Sequence, residues 1–455
     1  MKILHVPFCF APDPVGGTEI YVAALASELI KRGVEAVIAA PGAENGAYEI
    51  DGLKVRRFET SQTVENVSEL YDDGDPLAAE EFAKIMNDEK PDIVNLHAFT
   101  RAVSLRLVRV CTSRRVPVVF TYHTPTVSCQ RGTMMLWGRT PCDGKLDLQR
   151  CAACTLQGLA LPRSLAKAAS HFSAHFGQRL DSWGLEGGLW TAMRMSQLIS
   201  LRQSAFLEMC EEVDHLIAVC NWVRDVIVAN GVAPKNVTVN HHGVDAPEAR
   251  TGSRFDQPQA FSGQATRFVF FGRYDPTKGL RVLIDAFRAL PSLAMSLDIY
   301  GVAQSAANRT YERRMKALAE CDPRIRFHSA LAKDAVIEHL RDYDFLLVPS
   351  QWMETGPLVI LEAFAAGVPV IGQRIGGIAE LVHDTVDGLL VDLEPGDAWP
   401  NTLRRVIEDG RIKTLLKAGV RRPRTTTEVV DETLTLYRSI LIAQPKPSPN
   451  KAAVA

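Results

Sequence analysis

The chain has 455 residues, a length that allows about three domains at most and suits one or two α/β domains that build their own cores without disulfide staples. Its 51 Lys and Arg stand against 53 Asp and Glu, a formal net charge of -2, with 46% hydrophobic and 23% charged residues. This balance excludes a basic nucleic-acid coat and an acidic disordered regulator, and it describes an ordinary soluble globular protein. Nine cysteines are too few for a disulfide scaffold, yet Cys129, Cys142, Cys151 and Cys154 fall inside 26 residues.

The opening MKILHVPFCFAPDPVGG has neither a sustained apolar core nor a small-residue cleavage site, and no window approaches about 18 uninterrupted apolar residues. The expectation is a cytoplasmic chain, with association at the inner face of the cell membrane left open. Ile3–Pro7 reads as a strand, followed by a loop through Gly16 and Gly17. A helix carrying Ile20, Ala24, Leu25 and Leu29 comes next, then a strand at Val34–Ala40. The apolar runs at 92–96 and 116–122 suit a parallel sheet covered on both faces, and they alternate with helical segments near 76–89 and 102–114. After the cysteines comes a mainly helical excursion, 162–212, bearing His171, Phe172, His175, Phe176, Trp183 and Trp190. These aromatics suit either an acceptor groove or plain core packing. A strand at 215–219, a helix at 222–230 and a strand at 236–240 then close a first domain, 1–245.

Residues 247–266 are rich in linker residues and mark the interdomain connection. Strands at 267–272, 295–301, 324–328, 344–349, 367–372 and 388–391 follow, separated by helical windows near 279–290, 306–319, 333–341, 357–366 and 377–383. That rhythm predicts a second doubly wound α/β domain, 267–425. A helix at 428–441 has an apolar stripe whose docking surface periodicity leaves undecided. The Pro/Lys/Ser-rich tail 444–455 reads as disordered.

The polar candidates collect after apolar strands, where open parallel sheets bind ligands. Gly16-Gly17 precedes a helix and offers amides to a phosphate or sugar, but it lacks the GxGxxG spacing of a dinucleotide loop. Arg273 and Lys278 in GRYDPTKGL are two cations suited to a pyrophosphate and to charge growing on a leaving phosphate, with a solvated surface loop as the alternative. Glu354-Thr-Gly-Pro-Leu-Val-Ile-Leu-Glu362 places one carboxylate in a loop and a second along the following helix. Thr355 or Gly356 stands near the helix start, and Pro357 in its first turn. In this pattern one carboxylate can hold a reacting group while the other accepts hydrogen bonds from a ribose.

With these residues together, the sequence resembles the glycosyltransferase 4 family, retaining nucleotide-sugar transferases built on the GT-B fold of two facing Rossmann-like parallel-sheet domains. The likeness covers roughly residues 1–435. It rests on the Glu-x7-Glu pattern of Glu354 and Glu362, supported by Gly16/Gly17, the Arg273/Lys278 loop, NHHGVD at 240–245 and Gly376-Gly377. The resemblance implies a nucleotide diphosphate sugar donor held by Gly16, Gly17, Arg273, Lys278, Glu354, Gly356, Pro357, Leu358 and Glu362. In it Arg273 and Lys278 contact the diphosphate, Glu354 the transferred sugar and Glu362 the ribose. His123 corresponds to the family histidine near that sugar, and the helix at 428–441 returns to the first domain. It further implies a glycan or lipid-linked acceptor in cell-surface polysaccharide synthesis, no catalytic metal and no nucleic-acid partner.

His97 is the alternative cleft histidine, while His241 and His242 read as loop or strand-end residues. Two other functions share the architecture: a nucleotide-sugar 2-epimerase and a sugar-nucleotide-binding protein without turnover. The spacing C-x12-C-x8-C-x2-C of Cys129, Cys142, Cys151 and Cys154 suits a four-thiolate structural zinc clip on a loop with little core of its own. Iron–sulfur ligation, redox pairing and free thiols are the other readings.

Overall fold

The computed structural model describes residues 1–13, 16–64, 68–171, 188–245 and 265–443. The chain divides into two compact units, one formed by Met1–His241 with the segment from Val429 onward, the other by His242–Glu428.

In the first unit the apolar runs become β1 (Lys2–Val6), β2 (Glu35–Gly42), β5 (Ile93–Leu96), β6 (Val118–Tyr122), β9 (His215–Ala218) and β10 (Val237–Val239). With β3 (Gly46–Ile50) and β4 (Leu53–Glu59) they form one sheet in the order β10-β9-β6-β5-β1-β2-β4-β3. Every pairing is parallel except β3 with β4. Parallel strands covered on both faces must be apolar on both, which is why β5 and β6 are buried throughout. The hairpin β3–β4 was not anticipated. Its signal is the Asp51-Gly52 turn, where both residues have positive φ, 50° and 74°, the conformation a tight two-residue hairpin requires.

The C-terminal helix, Thr426–Ala443, runs longer than the expected 428–441. Its Val429, Val430, Leu434, Tyr437 and Ile440 are buried in one cluster with Ile3, Leu25, Ile93, Val119 and Ile217, so from Val429 onward it covers a face of the first sheet. Polar groups fasten it. Asn95 Nδ2 donates to Tyr437 Oη at 2.7 Å, and Thr121 Oγ1 donates to Asn95 Oδ1 at 2.9 Å. Asn240 Nδ2 donates to Thr433 Oγ1 at 3.0 Å.

Between the sheet strands, β7 (Met135–Leu136) and β8 (Thr140–Pro141) make a small antiparallel hairpin in the cysteine loop. Of the helical excursion, a helix over 163–171 and the helices Gly188–Met193 and Met195–Glu212 are described. Phe172, His175, Phe176 and Trp183 lie outside the described residues. The last of these helices buries Ala205, Phe206, Met209 and Cys210 in the main core of the unit, where that stretch serves packing.

The second unit holds β11 (Thr266–Arg273), β12 (Met295–Val302), β13 (Ile325–His328), β14 (Phe345–Val348), β15 (Val370–Gln373) and β16 (Gly388–Val391). Their order, β13-β12-β11-β14-β15-β16, and uniformly parallel pairing make a doubly wound sheet. Two helices not anticipated, Ala398–Glu408 and Gly410–Gly419, add Trp399, Leu403, Val406 and Leu416 to its core. The linker from residue 246 to 264 and the tail 444–455 lie outside the described residues. No helix among the described residues is long and apolar enough to cross a membrane.

The buried Asn95–Tyr437 bond generates a test. Tyr437→Phe leaves the Asn95 amide without this acceptor in a fully buried place, and we expect a loss of about 1–3 kcal/mol in chemical denaturation. An unchanged midpoint and slope would show that the bond contributes nothing net.

Candidate active site

In the second unit, β11 and β14 are sheet neighbours, paired at Phe268↔Phe345 and Val269↔Leu346, so the loops after them emerge side by side. The first carries Arg273 and Lys278, the second Glu354. Asp275 orders the first loop by accepting from Thr277 N at 2.9 Å, and Lys278 closes a short 3-10 turn, Pro276–Lys278. Gly279 follows with φ 73°, and a Cβ there would lie 1.9 Å from the Pro349 carbonyl oxygen. Only glycine permits this approach, which lets the first loop lie on the second.

Across that contact Lys278 Nζ donates to Glu354 Oε1 at 2.6 Å, and Ser350 Oγ donates to the same oxygen at 2.8 Å. Gln351 N donates to the Thr277 carbonyl at 2.7 Å. Glu354 is buried, 6% exposed, and a buried carboxylate needs such a cation and donor. The ammonium also sits 5.4 Å from the centre of the Trp352 ring. The Arg273 guanidinium makes no ion pair among the described residues.

The backbone around Glu354 is held from two sides. Gly377 N donates to the Glu354 carbonyl at 2.6 Å, and Cβ atoms on Gly376 or Gly377 would meet backbone at 2.7 Å, so the Gly376-Gly377 pair allows this contact. His242 Nδ1 donates to the Gly356 carbonyl at 3.0 Å, a role that reading His242 as a bare loop residue did not foresee. Pro357 is the N-cap and not a first-turn residue, and the helix is Leu358–Ala365. Glu362 lies in its second turn, where burial pushes its carboxyl up to about 7, opposed in part by the Lys333 charge.

In the first unit Gly17 starts the helix Gly17–Lys31 and Gly16 caps it. Glu19 Oε2 already accepts from Gly16 N at 2.7 Å, so the Gly16 amide is occupied by the chain's own carboxylate. His123 follows β6, His97 follows β5 and His5 lies in β1. These neighbouring strands stack the rings on one sheet face: His5 Nδ1 is 3.1 Å from His97 Nε2, and His97 Nδ1 is 3.0 Å from His123 Nε2. All three are at most 4% exposed, and Tyr21 packs on His97 and His123. Burial pushes the affinity of His5 for a second proton down to about 3, and burial with the neighbouring histidines pushes His97 well below its ordinary range. His97 is therefore not an alternative to His123 but bonded to it. His241 ends the first of the two segments that form the first unit.

Cys129, Cys142, Cys151 and Cys154 line one pocket, and all four are free thiols. Burial raises the Cys151 thiol to about 11. Among the described residues no three His, Cys, Asp or Glu side chains are arranged as a ready-made metal ligand set. The loop also has more core than expected, because Met134, Met135, Ala152 and Leu156 are buried and Trp137 N donates to Cys154 Sγ at 3.3 Å.

Residues 15–144 match the family model Glycosyltransferase Family 4, and residues 253–420 match Glycosyl transferases group 1. The chain is a GT-B-fold glycosyltransferase homologue related to family 4. It is 31% identical over 249 residues to a D-inositol 3-phosphate glycosyltransferase of Saccharomonospora viridis, covering 51% of this chain and 57% of that one. A protein of the same name from Salinispora arenicola is 35% identical over 162 residues, covering 34% of this chain and 36% of that one. The chain thus spans about half the length of the curated relatives it matches. Among solved structures, Anabaena HepE in complex with UDP and glucose superposes with TM-score 0.63 at 16% identity, covering 97% of this chain and 100% of that one. These structural likenesses carry the GT-B fold and no more.

For this GT-B homologue the Glu362 environment sets a pH dependence. A carboxyl raised from 4.5 to about 7 in the folded state leaves stability undiminished below pH 4.5 and lowers it as pH rises through 7. Glu362→Gln should therefore melt higher than the parent at alkaline pH, by about 1–3 kcal/mol of stability, and equally at acid pH. Thermal melts across that range decide it, and a gain at acid pH alone would reverse the sign.

Proposed function

We propose that this chain transfers a hexosyl group from a nucleotide diphosphate sugar to a hydroxyl of a glycan or lipid-linked acceptor, with retention at the anomeric carbon. The observation that carries the reading is the buried Lys278–Glu354 contact at the C-terminal ends of two adjacent parallel strands, where doubly wound sheets bind ligands. The relatives' name, a glycosyltransferase acting on an inositol phosphate, and the UDP and glucose bound by HepE agree with it. In this reading Arg273 and Lys278 neutralise the diphosphate and the charge that grows on the leaving phosphate. Glu354 and His123 orient the sugar, the backbone at Gly356, Pro357 and Leu358 lies along the donor, and Glu362 accepts from the ribose. Gly17 brings a helix N-terminus to the donor, while the Gly16 amide would have to leave Glu19 to join it. A leaving phosphate oxygen takes the incoming hydroxyl proton on the same face. No metal enters these steps, and synthesis of a cell-surface glycan in the cytoplasm, at the membrane's inner face, is the process proposed.

The test incubates the purified chain with UDP- and GDP-sugars and membrane-extract acceptors, and then determines linkage and anomeric configuration. We expect an acceptor-dependent product of retained configuration, and Lys278→Ala should lower turnover about 10²–10³-fold. An inverted product would overturn retention. A donor epimerised without acceptor would favour the 2-epimerase, and binding without turnover a sugar-nucleotide sensor.

The cysteine pocket is proposed as a structural zinc site, separate from the chemistry. Its lining has four thiols and four basic side chains, of which Arg150 is already paired with Asp143 at 2.7 Å, while Arg131, Lys145 and Arg202 make no ion pair among the described residues, a setting that favours the net charge of about -2 of four thiolates on Zn²⁺. Binding would require the four side chains to turn inward together. Metal quantification should find about one zinc per chain, lost in a Cys151→Ser, Cys154→Ser variant that also melts lower. A metal-free native chain with unchanged stability in the variant would overturn it.

A further inference from the structure

We infer that Ser350 is a positioning residue that frees Lys278 for the donor: its hydroxyl holds the Glu354 carboxylate while the ammonium turns from Glu354 to a phosphate oxygen. This rests on the reading above that Lys278 neutralises the donor diphosphate. That reading gives Lys278 two anions to serve. Its Nζ donates to Glu354 Oε1 at 2.6 Å, and the pair so formed is net neutral. An arriving diphosphate gains little from a cation matched in this way until the ammonium moves toward it. The move is costly, because it strips a carboxylate that is 6% exposed of its counter-charge.

Ser350 lowers that cost. Its Oγ donates to the same Oε1 at 2.8 Å, and the residue is 1% exposed. A hydrogen bond to an ionised acceptor is stronger than one between neutral groups, so the hydroxyl compensates part of the carboxylate's burial by itself. The two donors differ in reach and in stiffness. Ser350 stands just past the end of β14, with its hydroxyl on a one-carbon side chain. The backbone on both sides of it is tied down: Gln351 N donates to the Thr277 carbonyl at 2.7 Å, and Gln351 Nε2 to the Pro349 carbonyl at 2.7 Å. Lys278 instead carries its ammonium on a flexible four-carbon stem, and its side chain is 20% exposed. An anion in solvent thus has access to the lysine and none to the hydroxyl. The hydroxyl is the donor that stays with the carboxylate, and the ammonium is the one that leaves. Two consequences follow. Ser350 affects donor affinity without touching the donor, and it does so only while the residue at 354 is charged.

The experiment measures the affinity of the full chain for UDP and for GDP by calorimetry. A diphosphate without a sugar probes Lys278 and leaves out the contact of Glu354 with the sugar. For whichever nucleotide the unmodified chain binds, Ser350→Ala should raise Kd about three- to tenfold. Glu354→Gln removes the charge that has to be held, so adding Ser350→Ala to Glu354→Gln should change Kd less than about twofold. A hydroxyl that merely shapes the loop would cost the same in both backgrounds. That result would overturn the inference, as would an unchanged Kd in Ser350→Ala alone. Ser350→Cys keeps the shape with a weaker donor and replaces the alanine variant if that one does not fold. Its Kd should exceed the parent value with Glu354 in place and match Glu354→Gln once the charge is gone, and equal losses in the two would again overturn the inference. If the unmodified chain binds neither nucleotide, the donor reading fails and the inference falls with it. If it binds one and the losses add, the inference fails alone.

Discussion

A carboxylate at 6% exposure has to be compensated, and in the second unit Glu354 is compensated by Lys278 from the neighbouring strand's loop. Much of the local design follows from that need. Lys278 reaches Glu354 only because β11 and β14 are adjacent and their loops lie against each other. They can do so only because Gly279 has no side chain to strike Pro349. On the opposite side, the Gly376-Gly377 pair lets the next loop close on the Glu354 backbone. His242 anchors the Gly356 carbonyl. The carboxylate is thereby fixed by its side chain, its own carbonyl and the carbonyl two residues on, before any ligand arrives. Such preorganisation is what a site needs to stabilise charge without rearranging at the moment of reaction.

The first unit solves a different problem. Its sheet face carries polar residues, His5, Asn95, His97, Thr121 and His123, in the midst of Ile3, Ile93, Val119 and Ile217. Buried polar groups at this density persist only when they bond to one another. The C-terminal helix supplies Tyr437 to Asn95, and the first helix supplies Tyr21 to the histidines. The last described helix, Thr426–Ala443, thus completes a polar layer begun in the first strand. Its apolar stripe is accordingly cut by Thr433 and Tyr437, which are buried for their hydroxyls as well as their bulk.

The legible part of the fold was what parallel sheets impose locally. Strands buried on both faces must be apolar runs, and β5, β6 and β14 could be read within a residue or two. The hairpin β3–β4 escaped because its exposed strand, Gly46–Ile50, shows little apolar signal, although Asp51-Gly52 announced the turn. In the site, Arg273, Lys278, Glu354 and Glu362 were legible as residue types after strands. That Lys278 bonds Glu354 was not, since it depends on which strands are neighbours. Sheet order also hid His5: inside an apolar strand it reads as a core residue, and only the sequence of β1, β5 and β6 makes it the first of a row.

The cysteine loop shows how a motif and its setting carry different information. Spacing alone suggested a loop that needs a metal because it has nothing else to fold around. Buried Met134, Met135, Ala152 and Leu156 remove that premise, since the loop has apolar anchors and a helix, Leu148–Gly158, that places Cys151 and Cys154 on one side at i and i+3. What remains unexplained by packing is charge. Arg202 is deep enough for burial to push its guanidinium down to about 10, and it bonds only the carbonyls of Phe99 and Thr126 among the described residues. Arg202 lines the same pocket as the four thiols, and a buried cation with no carboxylate partner among the described residues is costly as it stands. The ion proposed for this loop would therefore answer the electrostatics of its lining rather than a want of hydrophobic core.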